Sequence, residues 1–496
     1  MKKIISMILC LILTAQLVAV PVAATETETQ AETVAETLPS AAGETAPEAA
    51  YGLATVLNGC RTLDAQEPLG GSNPMLKSAV SAFVYERNTG TVVYSYNPDL
   101  ELQPGTLAKI VTAIVAIEKG NLDDKVTISS RNYKYLPYGA KDAKLKEGEV
   151  MTLRDLVYCM FLQWANDAAV TISEHICGTQ ENFVKLMNEW VERAGCTNTH
   201  FSDCHGLGSE NQSVTARDLA RIVDEAMKNK DFAELFCATA YTVPETNRSE
   251  KRELKSLNYL VEQTILPKYN YDSATGGIAH YTEFSGASLV CTAEEKGMSY
   301  IVVVMGCERK ANAEKSWVIE YYGNYEEAWE LLDYAFDNYK ICRLLHEGQS
   351  MCQFPVAGGE NHVVAQTHTS RDAILPVSAK LDNLILKYTV ANGGLKAPIQ
   401  KDQNIASLQI WYRTSCIAEA ELYAMSPVRA LADLDMDIQG AASRDDSNLS
   451  QFLAFVGIVC LVILVPFTVY LIVNHARRLM ARNRRRRRRM SRRRSR

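Results

Sequence analysis

The sequence lacks the closely spaced cysteine and histidine ligands of a metal site or a redox motif. Its 13 cysteines are scattered without a C-x-x-C pair. Because zinc sites and thiol–disulfide motifs need such spacings, we expect neither, and no pattern implies a metal or an organic cofactor. Eleven cysteines lie outside the two long apolar runs, an odd number that does not indicate a disulfide framework.

Positive charge is scarce outside one short segment. Thirteen of the 52 basic residues are arginines between Arg477 and Arg496, and two more are Lys2 and Lys3. The remaining 37 basic residues face 58 acidic ones, so this larger part of the chain carries a net charge of about −21. Such a charge argues against nucleic acid or another long polyanion as its partner.

Only two stretches are long and apolar. Residues 1–24 have the charged start, apolar centre and small-residue end of a secretory signal peptide. Residues 452–473 contain 22 positions without a charge, enough for a transmembrane helix through a hydrocarbon core of roughly 30 Å. The arginine-rich residues 474–496 follow, and the positive-inside rule predicts them in the cytoplasm, against anionic lipid. Nucleic-acid binding is the alternative for such a tract.

The segments between these runs differ in composition. Residues 25–57, dominated by Thr, Glu and Ala, predict a disordered acidic spacer. Residues 58–345 place helices between two groups of strands, which indicates an α+β or three-layer domain. Short alternating apolar runs separated by Gly, Pro and Asn predict a small all-β domain at 346–430. Residues 431–451 then predict a partly helical stalk before the membrane span.

Several elements of the larger domain can be placed from periodicity and turn residues. The predicted elements are strands at 79–86 and 91–96, a helix at 152–177 that breaks around Trp164–Asp167 and is closed by Gly178, a helix opened by the capping box Thr215–Asp218, a hairpin of 287–293 and 299–306, and a helix at 325–345.

One predicted helix start carries candidate chemistry. Thr106 and Lys109 open an apolar run after the first predicted hairpin, and their spacing puts both side chains on one helix face. A hydroxyl beside an amine can act as nucleophile and base. Taken alone, Lys109 is more typical of a solvated helix lysine, and that alternative stays open.

Residues 104–109 resemble the Ser-x-x-Lys box of penicillin-binding proteins, with Thr106 in place of the serine. Asn166-Asp167-Ala168-Ala169 resembles the second motif of that group, Thr275-Gly276 resembles the third, and His205-Gly206-Leu207 stands in the expected order. Over about residues 78–430 the chain is similar to the D-alanyl-D-alanine carboxypeptidase family of low-molecular-weight penicillin-binding proteins. The resemblance implies a three-layer α+β transpeptidase domain like that of β-lactamases, a small all-β domain after it, and no cofactor.

Each catalytic motif departs from the family pattern. The extra methyl of Thr106 stiffens χ1 and crowds the path of attack. Trp164-Ala165-Asn166 replaces Ser-x-Asn, and an indole cannot relay a proton. Ala274-Thr275-Gly276 replaces Lys-Thr-Gly, which removes the ammonium expected to hold the substrate carboxylate. The resemblance thus leaves Thr106, Lys109 and Asn166 as a degenerate catalytic set, Thr275 and Gly276 for substrate binding, and Trp164 and Ala274 as altered positions.

Two of these residues have alternative interpretations. Asn166 either contacts substrate or caps a helix that begins near Asp167. Trp164 either packs in the core or stacks on a ligand. Core packing is the favoured interpretation for Trp164, whereas both interpretations of Asn166 stay open.

Two classes of function follow from the resemblance. In the first, the chain is a non-catalytic, single-pass membrane protein whose folded domains lie outside the cell and bind a peptidoglycan stem peptide or a cell-wall protein. In the second, it is a slow D-alanyl-D-alanine carboxypeptidase that trims stem peptides, with Thr106 as nucleophile and Lys109 as base.

Overall fold

The fold was read from a computed structural model. It describes residues 68–69, 74–130, 136–137, 139–207, 211–312, 319–390, 394–431, 467–468 and 470–473 of the 496-residue chain. The predicted signal peptide, acidic spacer and arginine-rich tail lie outside these residues, as does most of the predicted stalk and membrane span. No helix within the described ranges is long and apolar enough to cross a membrane.

A five-stranded antiparallel sheet organises the first domain. Its strands are β1 (Ser81–Glu86), β2 (Thr91–Tyr96), β7 (Ala274–Thr282), β8 (Gly286–Glu295) and β9 (Met298–Cys307). The strand order is β2-β1-β9-β8-β7, so β1 is an inner strand whose partner β9 lies more than 200 residues later in the chain. Both predicted hairpins are present, β1 with β2 and β8 with β9.

Helices and three short strand pairs complete this domain. The helices are α1 (Ala108–Lys119), α2 (Leu153–Gln163), α3 (Asn166–Cys177), α4 (Gln180–Arg193), α5 (Ala216–Ala226), α6 (Lys230–Phe236) and α7 (Gly323–Asn338). The short pairs are β3 (Lys125–Thr127) with β4 (Val150–Thr152), β5 (Ala240–Val243) with β6 (Arg252–Lys255), and β10 (Arg309–Ala311) with β11 (Ile319–Tyr322).

Strand β1 explains why this domain has layers on both faces of its sheet. Phe83 and Tyr85 belong to one apolar core, which they share with helices α1 to α6. Ala82 and Val84 belong to a second core, which they share with α7. Because successive strand side chains point to opposite faces, an apolar strand of this kind must be covered twice. The α+β prediction is confirmed, with the sheet as the middle layer.

The predicted break in the helix at 152–177 is also present. Helix α2 begins with a capping box, in which Thr152 and Asp155 exchange hydrogen bonds of 3.0 and 3.1 Å, and its C-cap is Trp164, whose φ is 58°. Helix α3 follows, and its C-cap is Gly178 with a φ of 73°, as predicted for a glycine at this position.

The helix predicted at 325–345 is too long at its C-terminal end. Helix α7 ends at Asn338, and Tyr339–Leu345 forms strand β12, paired with β16 (Arg371–Pro376). The sequence Tyr-Lys-Ile-Cys-Arg-Leu-Leu satisfies both a helical and an extended apolar pattern, so pairing with a distant strand decides its conformation.

The second domain is all-β, as predicted. Its strands besides β12 and β16 are β13 (Ser350–Phe354), β14 (Val356–Ala357), β15 (Val363–Thr367), β17 (Leu384–Val390), β18 (Leu395–Lys396), β19 (Asn404–Tyr412) and β20 (Ser415–Ala424). The main sheet has the order β13-β15-β20-β19-β17. Nine described cysteines are outside any disulfide, whereas Cys416 in this domain is disulfide-bonded, a bond that the cysteine spacing did not indicate.

A close backbone contact joins the start of α1 to the loop after α4. Gly206 has a φ of 81°, and a Cβ built on it would overlap the carbonyl oxygen of Gly105. Asp203 fixes this loop, because its carboxylate accepts the backbone N–H groups of His205 and Gly206. The position therefore requires glycine for two reasons, its left-handed conformation and the absence of a side chain.

We predict that Gly206→Ala destabilises the protein well beyond the cost of its φ alone. Gly178→Ala is the matched control, since Gly178 has a φ of 73° and nothing within 4 Å of a built Cβ. We expect a loss of about 1 kcal/mol in the free energy of unfolding for the control, and a further ~1–3 kcal/mol of overpacking at Gly206. Equal losses in denaturant titrations of the two variants would contradict the contact.

Candidate active site

Thr106 lies at the turn that precedes α1. A short 3₁₀ segment, Gly105–Leu107, leads directly into the helix, and Thr106 is only 6% exposed. Its side chain lines a cavity of about 310 Å³, together with Trp164 and Asn166. Three of the residues singled out from the sequence therefore meet at one cavity.

The backbone N–H of Thr106 is bound by His280 of strand β7. It donates to Nδ1 of His280 over 3.0 Å. Because Nδ1 accepts, the neutral ring carries its proton on Nε2, which lies 2.7 Å from Oγ of Ser285 and donates to it. A Cβ on Gly105, whose φ is 51°, would overlap this ring. The imidazole thus packs directly against the turn that carries Thr106.

Lys109 is fully buried behind this turn. Its Nζ donates to Oδ1 of Asn166 over 2.7 Å and to the backbone carbonyl of His205 over 2.6 Å. Neither of these hydrogen bonds goes to Thr106. Burial lowers the pKa of Lys109 to about 8, against the opposing effect of acidic neighbours such as Asp203. The interpretation of Lys109 as a solvated helix lysine is therefore wrong.

Asn166 connects Lys109 to the loop before β4. Helix α3 begins at Asn166 itself, and the residue in the N-cap position is Ala165, which makes no side-chain capping bond. The Asn166 amide instead accepts from Lys109 and donates to the carbonyl of Lys141 over 2.8 Å. The capping alternative for Asn166 is therefore wrong, and the residue lines the cavity instead.

Trp164 contributes to both the core and the cavity. Its left-handed backbone, uncommon for a residue other than glycine, turns the chain between α2 and α3. The ring is partly buried against the apolar cores and also lines the cavity. The ammonium of Lys141 lies 4.8 Å from the ring centre. The two alternatives for Trp164 thus do not exclude each other.

This arrangement, with a hydroxyl and a buried lysine at the start of α1 and an asparagine at the start of α3, can be compared with known proteins. The model of the D-alanyl-D-alanine carboxypeptidase family matches residues 70–309, and the model of the penicillin-binding protein 5 C-terminal domain matches residues 339–430. Together they cover most of both described domains. The chain belongs to the D-alanyl-D-alanine carboxypeptidase family.

Individual relatives agree with this assignment. The D-alanyl-D-alanine carboxypeptidase DacF of Bacillus subtilis is 28% identical over 372 residues, which cover 73% of this chain and 87% of the relative. The DacA enzyme of Haemophilus influenzae is 27% identical over 375 residues, 74% of this chain and 89% of the relative. Among solved structures, penicillin-binding protein 5 of Haemophilus influenzae matches with a TM-score of 0.58 and 26% identity, over 73% of this chain and all of that one.

The third motif of this family member does not lie where the sequence suggested. Thr275 hydrogen-bonds to Thr292 of β8 over 2.7 Å, and Gly276 packs against the backbone of Phe236. Neither lines the cavity, whose β7 wall is formed by residues 279–282. His280 lies five residues beyond Thr275, about 16 Å along an extended strand. The structure thus does not bring Thr275, Gly276 or the preceding Ala274 together with Thr106.

His280, Lys141 and Arg309 are among the lining residues that sequence reasoning missed. A sequence signal for His280 did exist, because every second residue of strand β7 points to the face that α1 covers. Following that alternation toward the end of the strand leads to His280. Lys141 and Arg309 lie in a loop and in a two-stranded ribbon that no motif marks. Only the folded chain brings them to the same cavity.

We predict that His280 makes the protein acid-sensitive. Burial lowers the pKa of His280 to about 3 from an ordinary 6.5. Between these values acid protonates the unfolded chain but not the folded one, so the free energy of unfolding falls as pH is lowered from about 6.5 to about 3, by at most about 1.4 kcal/mol per unit.

Denaturant titrations at pH 7, 5.5 and 4 measure this dependence. His280→Asn keeps a hydrogen-bond acceptor near Nδ1 without titrating, and we expect its stability to fall less steeply with acid than that of the wild type. His362→Asn, at an exposed position of the β domain, is the control. Parallel pH profiles for His280→Asn and the wild type would show that His280 has no such role.

Proposed function

We propose that this family member acts in the cell wall by binding a peptidoglycan stem peptide, or a cell-wall protein that presents a similar peptide, with little or no carboxypeptidase activity. The observation that carries the proposal is the hydrogen bond from the Thr106 backbone to His280. This hydrogen bond would hinder catalysis at Thr106, while the cavity beside it remains large enough for a ligand.

Acyl transfer needs hydrogen-bond donors for the oxyanion of the tetrahedral intermediate, and the backbone N–H of the nucleophile is one such donor in serine hydrolases. Here the N–H of Thr106 already donates to His280, and the imidazole occupies the space in front of it. Removing one oxyanion donor typically costs about 10²–10³-fold in rate. A carbonyl at this place would first have to displace a buried ring.

Proton transfer is impaired as well. Lys109 uses two hydrogen bonds on Asn166 and on the carbonyl of His205 and none on the Thr106 hydroxyl. Trp164 stands where the family pattern has the serine that relays a proton. Each general acid–base group contributes about 10²–10⁴-fold, although such losses are not additive when groups act as a unit.

The cavity itself supports a binding function. Its volume of about 310 Å³ is at the lower end for small-molecule sites. Aromatic side chains of Trp164, Tyr259 and Tyr281 line it beside the amide of Asn166. Apolar walls with a few polar groups are suited to a short peptide.

One observation favours the second candidate, a slow carboxypeptidase. The pKa of Lys109, about 8, leaves a fraction of it neutral near physiological pH, as a general base must be. Thr106 also keeps its hydroxyl at the cavity wall. In this alternative Thr106 attacks the peptide and Lys109 takes its proton.

We predict that the full-length wild-type chain forms no covalent adduct with a fluorescent penicillin and releases no D-alanine from a pentapeptide ending in two D-alanines. Thr106→Ser should remain unlabelled, because the N–H of residue 106 is still bound by His280. Thr106→Ser combined with His280→Ala should gain slow labelling. Gel fluorescence and intact mass measure the adduct.

Thr106→Ala is the control for chemistry at residue 106. A wild-type adduct or D-alanine release that disappears in Thr106→Ala would refute the proposal and establish the enzyme. Labelling of Thr106→Ser without a change at His280 would show that the threonine methyl alone limits acylation.

We further propose that residues 452–473 anchor the chain by a single membrane-spanning helix, with both domains outside the cell and residues 474–496 against anionic lipid in the cytoplasm. The apolar length of 22 residues and the 13 arginines that follow support this topology. The proposal treats residues 1–24 as a signal peptide for export.

We predict that the full-length chain sediments with membranes and resists extraction by high salt or alkaline carbonate. A chain ending at Ala430 should be released into the medium of the expressing cells. Recovery of the full-length chain in the soluble fraction after salt washing would contradict the anchor.

A further inference from the structure

Arg309 is a cation without an anionic partner among the described residues. Its Nε is buried and makes no hydrogen bond, and its guanidinium forms no ion pair there. Aromatic rings hold it instead, with the guanidinium carbon 4.3 Å from the ring centre of Tyr281 and 5.4 Å from that of Tyr322. The side chain as a whole is only partly buried, but its buried Nε is left without an acceptor, which is costly. This guanidinium is therefore suited to pair with a ligand.

Lys141 brings a second cation to the same cavity. Its ammonium lies over the ring of Trp164. Lys141 belongs to the loop before β4, whereas Arg309 belongs to strand β10. Burial, and then the positive charge of Arg309, lower the pKa of Lys141, so the two cations are near enough to repel each other. Both residues line the cavity that contains Thr106.

The described lining of this cavity contains no aspartate or glutamate. Two positive groups therefore act there without compensation, and an anion bound between them would relieve their repulsion. Asn324 lines the same cavity, and its side-chain oxygen is buried without a hydrogen-bond partner. An unpaired acceptor beside unpaired donors fits a ligand that has both an N–H group and a carboxylate.

We infer that Lys141 and Arg309 hold the carboxylate of a bound peptide in this chain, in place of the third-motif ammonium that it lacks. The inference rests on the proposed binding function and names the residues that recognise its ligand. Arg309 can present two N–H groups to a carboxylate, and Lys141 adds a point charge. The cation expected from the third motif is thus supplied by a loop and a strand outside that motif.

A pair of fluorescent peptides tests this subsite. Both are N-acylated tripeptides ending in D-alanyl-D-alanine, one with a free carboxylate and one with a carboxamide. Fluorescence anisotropy with the full-length chain in detergent should give at least tenfold tighter binding of the acid. Arg309→Gln should weaken binding of the peptide acid about 10–100-fold, and Lys141→Gln should weaken it several-fold. Both variants should bind the peptide amide as the wild type does.

Lys310→Gln is the matched control. Lys310 adjoins Arg309 but is exposed and paired with Glu308 at 2.7 Å, so its loss should not alter either affinity. Arg309→Lys keeps the charge and should retain part of the preference for the acid. Thermal melting of each variant separates lost binding from lost folding.

Equal binding of acid and amide by the wild type would overturn the subsite and leave the proposed binding function standing. Failure of both peptides to bind would overturn both. If Thr106 proves catalytic, the non-catalytic proposal fails, and the same comparison made in Thr106→Ala still decides the subsite. A preference for the acid that survives Arg309→Gln would also overturn it.

Discussion

The contact of three chain segments at Gly105 is the constraint on which the site depends. The backbone of Gly206 lies against its carbonyl from one direction, and the ring of His280 fills the position of its absent side chain from another. Close approach of the loop at 203–207 brings the carbonyl of His205 to Lys109. Close approach of β7 brings His280 to the N–H of Thr106. A side chain at residue 105 would separate all three.

This packing holds Lys109 in an unusual state for a lysine. Its ammonium is shielded from water and is bound by two oxygens, from a side-chain amide and a backbone carbonyl, rather than by a carboxylate. Burial lowers the pKa of Lys109, and the nearby acidic groups Cys204, Asp203 and Asp167 oppose that fall. The lysine thus joins α1, α3 and the loop at 203–207, whatever chemistry the cleft performs.

Local patterns predicted the parts of the fold whose signals are local. The first hairpin, the break at Trp164 and the cap at Gly178 follow from turn residues and periodicity. The end of α7 was misplaced because Tyr339–Leu345 has a pattern compatible with either conformation. Helix spacing placed Thr106 and Lys109 together, whereas Asn166 was predicted from the family resemblance alone. The wall of the cleft on β7 was predicted at Thr275 and Gly276, because this pair resembles the third motif. The structure forms that wall around His280, five residues beyond Thr275.

The residues that the sequence could not supply are those that long-range packing brings together. His280 reaches Thr106 across 174 positions of sequence, and Lys141 and Arg309 line one cavity from segments just as remote. No local pattern encodes such distances. Charges without partners become visible only when burial and neighbours are known, which is why the cation pair emerged from the fold.

The placement of β1 inside its sheet also has a consequence for the order in which the chain folds. Residues 81–86 leave the ribosome early, yet their partner strand contains Met305 and its neighbours. The central sheet therefore cannot form until more than 200 further residues have been synthesised, and closing so long a loop is slow. Helices α1 to α6 lie within that loop and can form while it is still open. During synthesis the domain is thus an unfinished chain with local helices, and it becomes a rigid body only when its last strands arrive.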